Sequence, residues 1–165
     1  MTDHALDFVV FSDDWGRHPS SCQHLFARLL RRHRVLWVNT IGLRAPRADA
    51  FTLRRGLEKL AEWRRPLRRI SPSLHVYAPA MLPVAGGGAG RLNARLAAAA
   101  VRRVMRRLGF QRPVLFASVP TAADYLGRLG EAASVYYITD DYRSWPGANP
   151  EVIAAQDARL TAEAA

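Results

Sequence analysis

Short apolar runs alternate with helical patterns along the chain, and this alternation is what most constrains its fold. The runs at 8–12, 35–39 and 114–117 are rich in β-branched and aromatic residues and are too short for helices. Continuous apolar runs of this kind are typical of parallel strands that are buried on both faces. We therefore expect a doubly wound, mainly parallel, Rossmann-like α/β sheet of about five strands with helices on both faces.

The predicted elements follow one another closely. The expected strands are Leu6–Ser12, Val35–Asn39, Leu74–Ala78, Val114–Ala117 and the run Val135–Thr139. The expected helices begin at Ser20 or Ser21, run over Phe51–Arg65 and Arg91–Leu108, follow Thr121, and begin again at Pro150. In the helix over 91–108, the apolar spacing predicts a buried stripe of Leu92, Leu96, Ala99, Ala100, Val104 and Leu108.

The length of 165 residues is that of one domain. We expect residues 1–165 to form a single Rossmann-like domain. The last predicted helix reaches Ala165 without a C-capping signal, so we also expect the sequence to stop inside an element.

Two acidic doublets stand where apolar runs stop. Asp13 and Asp14 follow the first strand, and Asp140 and Asp141 follow the fifth. The carboxyl ends of parallel strands line the ligand crevice of such sheets, so both doublets should meet at one rim. Adjacent residues of a strand point to opposite faces, so we expect only one member of each pair to face the site.

Composition and motifs exclude several kinds of site. A single cysteine, Cys22, rules out an intramolecular disulfide and a multi-cysteine zinc site. His18 and His24 lack metal-ligand spacing, so we expect no metal. The first β–α turn has no glycine fingerprint for a dinucleotide, and no Walker sequence occurs, so we expect no bound cofactor.

The net charge of +10 comes almost entirely from arginine, since Lys59 is the only lysine. Such a balance favours an anionic partner, for which arginines at 54–69 and 91–107 could supply a membrane-facing surface. Ordinary solvated faces in a protein from a GC-rich genome give the same composition, and both interpretations stay open. Nucleic acid is not expected, because aromatic residues are not interleaved with the arginines. No signal peptide or membrane span is predicted, so we expect a cytoplasmic protein. The arginines leave open a peripheral contact with the inner face of the cytoplasmic membrane.

Six segments, in this order and spacing, resemble the N-terminal half of a GT-B glycosyltransferase of the bacterial cell-surface polysaccharide type, families 1 and 4. They are Ser12-Asp13-Asp14-Trp15 with Arg17 and His18, Gln23-His24-Leu25, Arg34–Asn39, Arg91-Leu92-Asn93, Pro113–Phe116 leading to Pro120, and Val135–Tyr142. The resemblance implies an acceptor-binding domain and a second domain, absent from these 165 residues, that binds the nucleotide-sugar donor. It therefore also implies that the 165-residue chain alone transfers no sugar.

The resemblance also implies a role for each residue of the rim. Asp14 and Asp141 would accept hydrogen bonds from sugar hydroxyls, Trp15 and Tyr142 would stack on a pyranose face, and Arg17, His18 and Arg143 would meet phosphate. Gly16, Ser118 and Asp140 complete the expected substrate-binding set, and the catalytic residues stay unknown. The family plan requires no metal, and its partners would be a sugar or lipid-linked acceptor and a nucleotide-sugar donor.

Two other classes stay open at this stage. A non-catalytic α/β binding or partner domain would give the same strand pattern. A phospho-acceptor receiver-like domain also uses paired aspartates, but it needs a third carboxylate after strand three and a lysine after the last strand. Here Pro79 and Asp140 stand at those places.

Overall fold

The computed structural model describes residues 5–39, 67–79, 87–145 and 148–164, and the predicted helix at 51–65 lies outside these ranges. The strands are β1 (Asp7–Ser12), β2 (Arg34–Asn39), β3 (Leu67–Ser71), β4 (Leu74–Tyr77), β5 (Val114–Ala117) and β6 (Ala133–Tyr136). The α-helices are α1 (Ser21–Leu29), α2 (Gly87–Leu108) and α3 (Pro150–Glu163), and two 3-10 helices are η1 (Pro120–Tyr125) and η2 (Tyr142–Ser144).

The strands form one six-stranded sheet in the order β3-β4-β2-β1-β5-β6. Every neighbouring pair is parallel except β3 with β4. The five parallel strands, counted along the chain, therefore stand in the Rossmann order 3-2-1-4-5. The predicted α/β class and mainly parallel sheet are confirmed.

The sheet has a separate hydrophobic core on each face. Val10 points to the face covered by α1, where it packs in one cluster with Cys22 and Phe26. Val9 and Phe11 point to the other face and pack with residues of α2, η1 and α3. This alternation within β1 follows from the two-residue period of a strand. The chain changes direction between β1 and β5, which makes their carboxyl ends the switch point where ligands of such folds bind.

Several predicted details of the elements are wrong. The antiparallel edge strand β3 was not predicted, and α2 begins at Gly87, four residues before the expected Arg91. Strand β6 ends at Tyr136, so Ile138 lies beyond it with 61% of its surface exposed, although the apolar run predicted a strand through residue 139.

The predicted buried stripe of α2 is also wrong at several positions. Leu92, Leu96 and Ala99 are exposed, and Ala100 and Leu108 are half-buried, while Val104 is buried as predicted. The buried side chains of α2, among its described residues, are Ala94, Ala97, Ala98, Val101, Val104 and Met105. Small alanine side chains lie against the sheet, and the larger leucines are left on the outer face.

Arg34 holds the amino-terminal edge of the sheet to the end of α2. Its Nε and Nη2 atoms donate to the two carboxylate oxygens of Asp7 at 2.7 Å each. Its guanidinium also donates to the carbonyls of Leu108 and Gly109 at 3.2 Å each and lies over the ring of Phe110. A lysine carries no planar fork and cannot repeat this set of bonds.

We expect Arg34→Lys to lower the free energy of unfolding by about 1–2 kcal/mol, because the paired hydrogen bonds to Asp7 are lost. Urea unfolding of the chain measures the change. The matched control is Arg159→Lys, since Arg159 and Glu163 form an exposed pair one helical turn apart. Such pairs contribute roughly 0.5 kcal/mol or less. Equal losses in the two variants would contradict the assigned role of Arg34.

Candidate functional site

The two acidic doublets lie at the same edge of the sheet. β1 and β6 are both parallel to β5, which separates them, so the loops that follow them leave the sheet at its carboxyl edge. The expected common rim is confirmed at this level. The negative charges of Asp14 and Asp140 both act to raise the pKa of Asp13, which shows that carboxylates from the two loops lie within electrostatic range.

The first loop, residues 13–19, is a defined turn. The amide of Arg17 donates to the carbonyl of Asp14 at 3.2 Å, and Gly16 has a φ of +78° that favours glycine. Gln23 of α1 holds the loop from one side: its Oε1 accepts from the amide of Gly16, and its Nε2 donates to the carbonyls of Asp14 and His18. Gln23 was not predicted as a site residue, although it positions three that were.

The two aspartates of the first loop differ in their hydrogen-bond partners. The side chain of Asp14 accepts from Arg17 at 3.3 Å on the surface. The side chain of Asp13 has no hydrogen bond among the described residues, and partial burial raises its pKa, followed by the charges of Asp14 and Asp140. β1 ends at Ser12, so both aspartates belong to the loop and strand alternation does not distinguish between them.

Trp15 lies half-buried against the core below α1. Its ring meets that of Trp37 edge to face at 4.8 Å between centroids. The indole Nε1 of Trp37 donates to the carbonyl of Asp13 at 2.8 Å. The buried Trp37 side chain therefore supports both Asp13 and Trp15. The outer side of Trp15 lines a shallow groove with Gly16, His18, Pro19, Gln23, His24 and Ala27.

Ser118 lies below the rim and not on it. It is buried, and its hydroxyl donates to the Oγ of Ser12 at 2.7 Å, joining the ends of β1 and β5. Cys22 is buried beside this pair, and burial raises the pKa of its thiol. The structure therefore places Ser118 in the contact that joins the ends of β1 and β5, and its predicted contact with substrate stays a prediction.

The two aspartates of the second loop differ in their hydrogen bonds. Asp141 caps η2: its carboxylate accepts from the amide and Nε of Arg143 and from the hydroxyl of Ser144. The side-chain hydrogen bond from Arg143 is the main reason that the pKa of Asp141 lies below its ordinary value. Asp140 is exposed and makes no hydrogen bond with the described residues. Asp140 is therefore the free carboxylate of this loop, and Asp141 and Arg143 largely satisfy each other.

Tyr142 is buried, so its ring offers little surface to a sugar. Only 4% of its surface is exposed, and its burial raises the pKa of its hydroxyl to about 12. Its ring instead supports Trp145 at a centroid distance of 5.0 Å. Trp145 keeps 41% of its surface exposed, so it is the aromatic surface of this loop that the sequence prediction missed.

An open groove of about 290 Å³ runs beside the second loop. Its lining joins residues of η1, the 138–143 segment and α3, namely Pro120, Ile138, Thr139, Asp140, Asp141, Tyr142, Arg143, Ile153 and Asp157. The hydroxyl of Tyr136 donates to one oxygen of Asp157 at 2.6 Å, which fixes that carboxylate at the wall. The groove thus combines carboxylate acceptors with exposed apolar surface.

Within the described residues, no group of three or more His, Cys, Asp and Glu side chains is placed to hold a metal ion. Across the same part of the chain, no helix has the length and apolarity needed to cross a bilayer. Comparison with protein-family models gives no match, and comparison with curated protein sequences gives no similar chain.

Proposed function

We propose that the chain is the acceptor-binding, N-terminal part of a GT-B glycosyltransferase that moves a sugar from a nucleotide-sugar to a cell-surface polysaccharide or lipid-linked acceptor. The observation that carries this proposal is the arrangement of the switch-point rim. Asp13 and Asp140 make no hydrogen bond with the described residues, and the charge of Asp140 acts on Asp13. The same two loops carry the partly exposed rings of Trp15 and Trp145. Sugars are bound by this combination of hydroxyl acceptors and apolar ring faces.

The rim would act on the acceptor by positioning it. Glycosyl transfer needs an acceptor hydroxyl held in line with the donor and a stabilised leaving diphosphate. Asp13 and Asp140 would accept hydrogen bonds from acceptor hydroxyls, and the rings would pack on the sugar faces. Arg17 and His18, both exposed on the first loop, would lie near phosphate. The nucleotide-sugar would be held mainly by a second domain.

The receiver-like alternative loses support from the topology. Receiver domains have the flavodoxin-like strand order 2-1-3-4-5, whereas the parallel strands here stand in the order 3-2-1-4-5. A receiver domain would also need its phospho-acceptor carboxylate after the strand beside β1. That strand is β5, and Ser118 follows it. A non-catalytic binding domain would use the same rim.

The proposed place of action is the cytoplasm, at the inner face of the cytoplasmic membrane. Lipid-linked acceptors are presented at that surface, and a net charge of +10 favours contact with anionic lipid. A peripheral contact of this kind needs no membrane-spanning helix.

Ligand binding can be followed through the four tryptophan indole N–H signals of the 15N-labelled chain. We expect mono- and disaccharides to shift the signals of Trp15 and Trp145, and Trp145→Ala to weaken binding about 3- to 10-fold because a stacking surface is lost. Ile70→Ala is the control, since Ile70 is an exposed apolar residue of β3. It should leave binding unchanged.

Two results would contradict the proposal. The first is the absence of any shift of Trp15 or Trp145 across the saccharides. The second is a response to uridine or guanosine diphosphate alone, which would assign the rim to a nucleotide and not to an acceptor sugar.

A further inference from the structure

The outward side of α2 combines exposed leucines with arginines. Leu92 and Leu96 are one helical turn apart and keep 58% and 62% of their surface exposed. Both were expected to be buried. Single exposed leucines are common on proteins, but two on one helical face form a small apolar strip.

The same side of α2 is strongly basic. Six arginines share the exposed side with the two leucines and Ala99, namely Arg91, Arg95, Arg102, Arg103, Arg106 and Arg107. The helix contains no acidic residue, and none of these arginines forms a salt bridge with a described residue. Arg102 donates to the carbonyl of Arg128, which leaves its charge in place. We call these nine residues the α2 outer face.

The α2 outer face lies beside the sheet, with its leucines toward the candidate site. A helix between two parallel strands begins at their carboxyl edge and runs back to the amino edge, so Gly87 is at the rim end of α2. Leu92 and Leu96 fall in the first half of the helix, and the arginine pairs at 102–103 and 106–107 fall in the second. An occupant that covers the leucines would therefore lie near the rim.

We propose that the α2 outer face rests on an anionic bilayer, with Leu92 and Leu96 inserted at the headgroup level and the arginines against lipid phosphates. This rests on the proposed membrane location and names the surface responsible for it. Anionic lipid fits both features, because leucines gain from the acyl boundary and arginines from the surface potential. A nucleic acid would leave the leucines without a role, and α2 offers no aromatic residue for base stacking.

The test is co-sedimentation with phosphatidylcholine vesicles that contain or lack phosphatidylglycerol, at low and high salt. We expect binding only to the anionic vesicles and a decrease with salt. Leu92→Ala/Leu96→Ala and Arg91→Gln/Arg95→Gln should each weaken binding by roughly tenfold. The matched control is Arg28→Gln/Arg31→Gln, which removes two exposed arginines at the end of α1.

Three results would overturn the proposal. An equal loss of vesicle binding in the α1 control would mean that the attraction is diffuse and electrostatic. Unchanged vesicle binding in the leucine variant would mean that Leu92 and Leu96 do not insert into the bilayer. Tighter binding of the α2 outer face to a short single-stranded RNA than to anionic vesicles would assign the surface to nucleic acid. The saccharide titration of the same variants should be unchanged, so failure of vesicle binding and failure of the proposed acceptor site are separate observations.

Discussion

Replacing Trp37 with alanine is expected to lower the free energy of unfolding by about 3–5 kcal/mol, which is the usual cost of emptying a fully buried aromatic site. Trp37 has no exposed surface and meets Trp15 and Phe26 edge to face. Because its indole also donates to the carbonyl of Asp13, the variant should lose the geometry of the first loop and with it saccharide binding.

The variant Trp37→Phe separates the two roles of this side chain. Phenylalanine keeps most of the apolar volume but cannot donate to Asp13, so we expect a loss of about 1–3 kcal/mol. Urea unfolding gives the stability of both variants, and the Trp15 indole signal reports the loop. An unchanged Trp15 signal in Trp37→Phe would show that the loop does not depend on this hydrogen bond.

Replacing Asp13 with asparagine is expected to weaken saccharide binding about 10- to 100-fold, because a charged hydrogen-bond acceptor is lost at the rim. Asp14→Asn is the matched comparison, and it should have the smaller effect since Asp14 already accepts from Arg17. Titration of both variants decides between the two aspartates. A larger loss in Asp14→Asn would restore the assignment made from the sequence.

The same Asp13 variant should be slightly more stable than the parent at neutral pH. Burial and two neighbouring carboxylates raise the pKa of Asp13 in the folded chain above its ordinary value of 3.8. The stability contributed by Asp13 is therefore full below that value and is lost as the pH rises through the folded pKa. Asparagine does not ionise, so at a pH above the folded pKa of Asp13 the variant should have a free energy of unfolding roughly a few tenths of a kcal/mol higher than the parent. The gain is small because the side chain is partly solvated. Unfolding measured against pH tests the sign.

The sheet was predictable where its strands are buried on both sides. Runs such as Val35–Asn39 carry a continuous apolar pattern because both faces of the central strands are covered. The edge strand β3 carries Arg68 and Arg69 exposed and pairs on one side only, so no apolar run marked it. In α2 apolar residues lie on more than one side of the helix, so their spacing did not identify the buried side, and burial followed the face that lies against the sheet.

The position of the site was easier to predict than its residues. The ends of the predicted strands indicated the edge of the sheet, because parallel strands place their carboxyl ends together. The members of each doublet could not be distinguished, since strand alternation does not extend into loops. Neither the burial of Tyr142 nor the exposure of Trp145 has a periodic signal, because both depend on packing between η2, a segment of three residues, and the core beneath it.

The two halves of the rim rest on different cores. Trp15 packs into the cluster beneath α1, whereas Tyr142 packs into the cluster formed with α2, η1 and α3. A substitution in one core should therefore reshape one wall of the site and spare the other. Substitutions beneath the first loop could therefore change which ligands that wall accepts, while the wall formed by the second loop keeps its contacts.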